Sequence, residues 1–289
     1  MYHYHGKDVT TMSIKLIATD LDGTFLHDDH TYNHHLFNKV FRQLNKRGIR
    51  FVAASGSSYP RLAREFASYL DQMSFISQNG SVIHVGHEMV QNYPIKSTAL
   101  ARVMHVLDRF YGPNDINQLV VSGADQSYVD QKIDDHNFET VRLFYENVKR
   151  VPNIRHIFTT FPEQQFTKIS INFADHIDLK RVADTLDQYL PASLVIENSG
   201  FNTDLIGDAK GTKRNGLAYL QDRFNLADDE IVTFGDNEND LGMLAMTSQS
   251  YAMQNARQII RMQAGHVTPL DNNHDGVLKV IQHLLKNED

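Results

Sequence analysis

Residues 14–25 read IKLIATDLDGTF. Leu16, Ile17 and Ala18, flanked by Ile14 and Thr19, run without polar alternation into two aspartates, the pattern of a strand buried on both faces. Asp20 and Asp22 stand one residue apart, a spacing that puts both side chains on one side of an extended segment, and Gly23 lets the chain turn away. Two acids are therefore expected to converge on one small volume where the strand ends. The plain alternative is a strand followed by an ordinary Asp-Gly turn.

Outward from this stretch, Leu36, Phe37, Val40, Phe41 and Leu44 recur at helical spacing between Asn33 and Arg47, and Gly48 supplies a stop. Residues 49–54 form a second unbroken apolar strand, so strand, helix and strand make a right-handed crossover unit of a parallel sheet. This strand ends in Ser55-Gly56-Ser57-Ser58, and a helix is expected from Tyr59 or Pro60 to Leu70. Ligands of open parallel sheets sit beyond the carboxyl ends of strands, which brings Ser55 beside Asp20. Its hydroxyl and the backbone N–H groups that follow, beginning with Gly56, suit a phosphate oxygen at a helix start; a Ser/Gly turn that merely caps the helix is the alternative.

The parallel patterning stops near FISQNGSVIHVGHEMV, residues 75–90, which reads as a meander. Beyond it the rhythm changes. A helix is expected over Ser97–Phe110, strands over Gln118–Ser122, Arg155–Thr160 and Phe166–Phe173, a helix over Asp178–Leu190 and a strand over Ser193–Glu197. Lys168, Ser170 and Asn172 alternate with Ile169, Ile171 and Phe173, the period of a half-buried antiparallel strand. Residues 123–153 carry no readable period. The core pattern is expected to resume at Thr203–Ile206, followed by a helix with Lys213 in its first turn. A cation there opposes the positive end of the helix dipole and hints at a nearby anion; an exposed lysine is the commoner alternative. Ile231–Phe234 is a further buried strand, ending in GDNEND, residues 235–240. Such crowded acids repel one another unless a hard divalent cation holds them, for which carboxylate oxygens are the expected ligands; a solvated acidic loop capping a helix over Leu241–Met246 is the alternative.

Composition narrows the function. The chain has 289 residues, 41% apolar and 22% charged, ordinary for a globular protein with a sizeable core. A net charge of -7, with no dense Lys/Arg run, argues against nucleic acid and for small-molecule partners. There is no cysteine, hence no disulfide or thiolate chemistry, and no apolar stretch approaches the length of a membrane span. The cytoplasm is the default location. Residues 1–11 read as a loose tail before Met12, and His3, His5, His27, His30, His34 and His35 as polar surface with no nameable ligand spacing.

Taken together, DLDGT, a strand ending in Ser55, an insert, Lys213 and GDNEND resemble, in that order, the haloacid dehalogenase (HAD) superfamily of aspartate-nucleophile phosphohydrolases across nearly the whole chain. The insert, lying between the second and third motifs, resembles that of the Cof-type subfamily with its large α/β cap. SGSSYP, Lys213-Arg214-Asn215-Gly216 and DNNHDG are similar to bacterial sugar phosphatases acting on hexose and pentose phosphates. The resemblance implies an α/β fold: a Rossmann-like, doubly wound parallel-sheet core, residues 12–88 and 200–289, carrying an inserted α+β cap domain, residues 89–199. It implies that Asp20 is the nucleophile and Asp22 the general acid, later the base. Mg2+ would be held by the side chains of Asp20 and Asp236 and the backbone carbonyl of Asp22. Ser55, Gly56, Lys213 and Asn239 would bind the transferring phosphoryl group, Asp240 would orient Lys213 or the waters of the metal, and Asn79 and Gly80 would be minor substrate contacts. Many Cof-type members carry Arg after the Ser-Gly of the second motif, where this chain has Ser57. The implied activity is a Mg2+-dependent phosphatase of small phosphorylated metabolites, sugar phosphates foremost, with no nucleic acid, membrane or nameable protein partner. A phosphotransferase or mutase using the same aspartyl phosphate, and a catalytically idle regulator binding phosphorylated ligands, are the alternatives.

Overall fold

The computed structural model describes residues 13–198 and 202–287; the expected tail, residues 1–11, lies outside them. The first sheet is entered by β1 (Leu16–Thr19), β2 (Arg50–Ala54), β3 (Met73–Ser77), β4 (Val82–Val85) and β5 (Glu88–Asn92). A second sheet follows, made of β6 (Ile116–Ser122), β7 (Ser127–Asp130), β8 (Val148–Val151), β9 (Lys168–Phe173), β10 (Leu194–Asn198) and β11 (Thr203–Asp208). The chain then returns to the first sheet with β12 (Ile231–Gly235), β13 (Ser250–Ala252) and β14 (His266–Val267).

The first sheet has the order β14-β13-β12-β1-β2-β3-β4-β5, parallel from β14 to β3 and antiparallel beyond. Its central strands β1, β2, β3 and β12 are buried on both faces, as their apolar runs require, whereas the edge strands β5 and β14 stay partly or fully exposed. Ile17 packs with Phe37, Val40, Leu44 and Ile281 of the helices His34–Lys46 and Gly276–Asn287, whereas Leu16 and Ala18 pack with Leu217 and Leu220 of the helix Lys213–Phe224. This is the doubly wound α/β architecture. The helix expected from Tyr59 to Leu70 ends at Glu65 and continues as a 3-10 segment, Ala67–Gln72.

The second sheet has the order β10-β11-β9-β6-β7-β8 and is antiparallel except for β7-β8. Helices Ser97–Phe110 and Leu179–Tyr189 bury Leu100, Val103, Leu107, Val182 and Leu186 against Val121, Ile169, Ile171 and Phe173 on one face. Two expectations fail here. Residues 155–160 form helical turns, because Ile154 and Ile157 bury one helical face and the Asn153 side chain caps the turn. Thr203–Ile206 belongs to this second sheet rather than to the first, paired antiparallel with β9 and β10; a short connection after β10 favours such pairing over a crossover. The unreadable stretch 123–153 holds β7, the helix Asp135–Phe144 and β8, elements too short to show a period. On sheet membership, then, the first sheet keeps residues 88–92 and the second extends through Asp208. No helix among the described residues is long and apolar enough to cross a membrane.

Candidate active site

The carboxyl ends of β1, β2 and β12 lie side by side, as the parallel pairings dictate. Asp20 leaves β1 nearly buried, its N–H held by the Phe234 carbonyl at 3.0 Å. Asp236 follows β12, and Thr24 donates its hydroxyl to Asp236 Oδ1 at 2.7 Å. Asp240 is fully buried: Oδ2 accepts the N–H groups of Asp236 and Asn237 at 3.0 and 3.1 Å, so the loop wraps its own carboxylate. Lys213 opens its helix with no exposed surface, and its ammonium bridges Asp20 Oδ1 at 2.5 Å and Asp240 Oδ1 at 2.7 Å. The cation at the wrong end of a helix dipole is thus explained by two buried anions.

Asp20, Asp236 and Asp240 bring carboxylate oxygens within 4.8 Å of one another, the one such cluster among the described residues. Burial drives the Asp20 carboxyl well above the usual range, against the pull of Lys213, and Asp240 and Asp236 push it further. Burial, together with Asp240, raises Asp236 to about 6, against its Thr24 hydrogen bond and Lys213. Desolvation works against the Lys213 charge, but its two carboxylate partners more than offset it and hold the ammonium protonated. The donor set fits a hard divalent cation: three carboxylates cluster beside one ammonium, which bonds Asp20 and Asp240 but not Asp236. Gly23 belongs to this cradle. Its φ is +80°, and a Cβ there would stand 2.7 Å from Asp236 Oδ2.

Asp22 departs from the expected convergence. β1 ends at Thr19 and the chain turns at once, so alternation no longer applies; the Asp22 side chain is 45% exposed and adds no carboxylate to the triad. It faces His30 Nδ1 at 3.1 Å and Arg61 Nη2 at 3.4 Å. Neither neighbour was expected at the site. Arg61 lies one helical turn beyond Ser57, whose Oγ accepts from its Nη1 at 2.8 Å, so a guanidinium reaches this corner although position 57 carries none. Ser55 is buried at the end of β2, its Oγ accepting the N–H of Ser57 at 3.1 Å, with Gly56 between them. Asn239 donates to Asn79 Oδ1 at 3.2 Å. The polar loop 271–276 braces the corner from outside, with Asp275 holding His27 and Asn33 and Asn272 holding the Leu26 carbonyl.

A doubly wound sheet with an inserted second sheet, and an acidic cluster with one buried lysine at its switch point, define a class of phosphoryl-transfer hydrolases. The chain belongs to the haloacid dehalogenase-like hydrolases, whose family model matches residues 17–281, and it is an enzyme of the phosphatase type. It is 34% identical over 279 residues to the 5-amino-6-(5-phospho-D-ribitylamino)uracil phosphatase YbjI of Escherichia coli, covering 96% of this chain and 98% of that protein. It is 25% identical over 278 residues to the Bacillus subtilis phosphatase YcsE of the same description, covering 94% and 96%. The crystal structure of SMU.1108c from Streptococcus mutans superposes with a TM-score of 0.85 at 28% identity, covering 95% of this chain and all of that one.

Proposed function

We propose that the protein is a Mg2+-dependent phosphatase of small phosphorylated metabolites, sugar and sugar-alcohol phosphates foremost, working through an aspartyl phosphate on Asp20. The observation that carries this reading is the fully buried Lys213 ammonium joined to both Asp20 and Asp240 beside Asp236. A buried lysine so paired cannot serve as a base; it fixes one oxygen of Asp20 and leaves the other for attack. Mg2+, held by Asp20, Asp236 and the Asp22 carbonyl, would supply the charge that draws electron density from the phosphoryl oxygens.

In this mechanism Asp20 attacks phosphorus in line, the P–O bond to the alcohol breaks, and Asp22 gives its proton to the departing alkoxide. Asp22 then takes a proton from water, which attacks the aspartyl phosphate, releasing inorganic phosphate and restoring Asp20. Its side chain, 45% exposed to solvent, suits the exchange of that proton. Ser55, the N–H of Gly56, Asn239 and Lys213 would hold the phosphoryl oxygens, with donors fixed before the reaction begins. Asp240, its oxygens taken by Lys213 and two backbone N–H groups, orients the lysine rather than binding the metal. The substrate class draws on the two relatives named for a terminal phosphate on a ribityl chain.

The test is phosphate release from a panel of sugar, sugar-alcohol, nucleotide and cofactor phosphates, with Mg2+ and with EDTA, by wild type and Asp20→Asn. Release that requires the metal and drops by more than about a thousandfold in the variant is expected. Turnover by Asp20→Asn near the wild-type rate would sink the mechanism.

A further inference from the structure

A second polar cluster lies beside the phosphoryl site, where the turn after β3 meets the second sheet. Strand register builds it. Lys168 on β9 pairs with Gly207 on β11, and Glu197 on β10 pairs with Leu205, so all four point from the face opposite the helix-covered one. Lys168 Nζ stands 3.8 Å from Glu197 Oε2. Lys168 is 3% exposed, and its ammonium makes no hydrogen bond among the described residues; nor does the buried hydroxyl of Ser81. A Cβ on Gly207 would sit 2.7 Å from that ammonium and 3.2 Å from that hydroxyl, so glycine is what lets both groups come this close to β11.

This cluster is wired to the phosphoryl site. Glu197 Oε2 accepts from Asn79 Nδ2 at 2.7 Å, and Asn79 Oδ1 accepts from Asn239 at 3.2 Å. Gln78 and Asn79 are both buried with φ of 51° and 57°, a left-handed pair that persists only where its surroundings hold it. Gln78 is held by donating to the Gly123 carbonyl at 2.8 Å and accepting from Thr167 Oγ1 at 2.6 Å. The strained turn therefore serves to aim Asn79 between the two sites.

We propose that Glu197 and Lys168, with Asn79 and Ser81, form the subsite that binds the hydroxyl-bearing leaving group and selects phosphomonoesters of sugars and sugar alcohols. The assignment rests on the phosphatase reading of the aspartate site. A carboxylate that accepts and an ammonium and hydroxyl that donate, side by side, match a run of hydroxyls, which donate to the first and accept from the others. An apolar leaving group would strip water from both charges without replacing its hydrogen bonds, and a second anion would meet Glu197.

The experiment compares kcat/KM for ribitol 5-phosphate and p-nitrophenyl phosphate in wild type, Glu197→Gln and Lys168→Met. The ratio of the two is expected to fall at least about tenfold in each variant, the worth of a hydrogen bond to a charged group. A ratio held within about twofold, whether both esters slow together or neither does, would make the pair structural and overturn the subsite. Calorimetric binding of ribitol 5-phosphate in the Asp20→Asn background reads the subsite without turnover. A dissociation constant raised about tenfold by Glu197→Gln supports it, and an unchanged one overturns it. Loss of metal-dependent p-nitrophenyl phosphate hydrolysis in Asp20→Asn reports on the phosphatase reading separately. Should Lys168→Met fail to fold, the isosteric Glu197→Gln carries both arms alone.

Discussion

Lys213 is the residue on which the candidate site turns, because its single ammonium pairs with two of three clustered carboxylates. Lys213→Met would leave Asp20 and Asp240 buried without a counter-charge. The metal-free protein is expected to lose about 3–5 kcal/mol of stability by urea denaturation, and kcat to fall about 10²–10³-fold. Gly23 makes a subtler case. In Gly23→Ala the positive φ costs about 1–2 kcal/mol, and the new methyl presses on Asp236. Activation should then need about tenfold more Mg2+, read from a metal titration of the rate. Arg61 tests the corner that the sequence motif left open. Arg61→Ala should lower kcat/KM about tenfold with little change in thermal midpoint, since the guanidinium touches Asp22 and Ser57 at the surface of the site. A stability loss with unchanged kinetics would make it a structural contact only.

At the scale of elements, the helices and strands that were legible are those whose period outlasts one turn. Ser97–Phe110 is bounded as its apolar spacing predicts, and it buries Leu100 and Leu107 completely. Leu107→Ala should cost about 2–5 kcal/mol, seen as a lower urea midpoint at unchanged slope. Residues 155–160 misled because a few apolar residues fit a strand and a short helix equally well, and only the burial of Ile154 with Ile157 decides. β11 misled for another reason. Its short apolar run, Leu205-Ile206, fits either sheet, and pairing with β9 and β10 is a long-range choice no local pattern records.

For the whole molecule, His84 and Asp236 make opposing contributions to the pH response. His84, stacked on Tyr59 at 3.4 Å, is depressed to about 4 by burial. The unfolded chain takes up this proton near pH 6.5 and the folded one only near 4, so stability falls as pH drops through that window, by on the order of 3 kcal/mol. Asp236, raised to about 6, acts the other way: the metal-free folded state holds its proton more tightly than the unfolded one, and that contribution is lost as pH rises through 6. Melts in EDTA from pH 4 to 8 should lose the acid-side slope in His84→Phe, and Mg2+ should bind progressively more weakly below about pH 6, where it must displace a proton.

The sequence by itself determined the doubly wound core and the identity of Asp20, Lys213 and Asp236 as the candidate centre. Apolar strands that end in acids advertise their ends locally, and a parallel sheet brings such ends together. Only the tertiary structure decided that Asp22 turns outward, that Arg61 reaches it from the next helix, and that Glu197 meets Lys168 beside it and Asn79 across the two sheets. Those placements depend on turn geometry, helix phase and strand register between segments far apart in the chain, and none of these leaves a mark in the spacing of neighbouring residues.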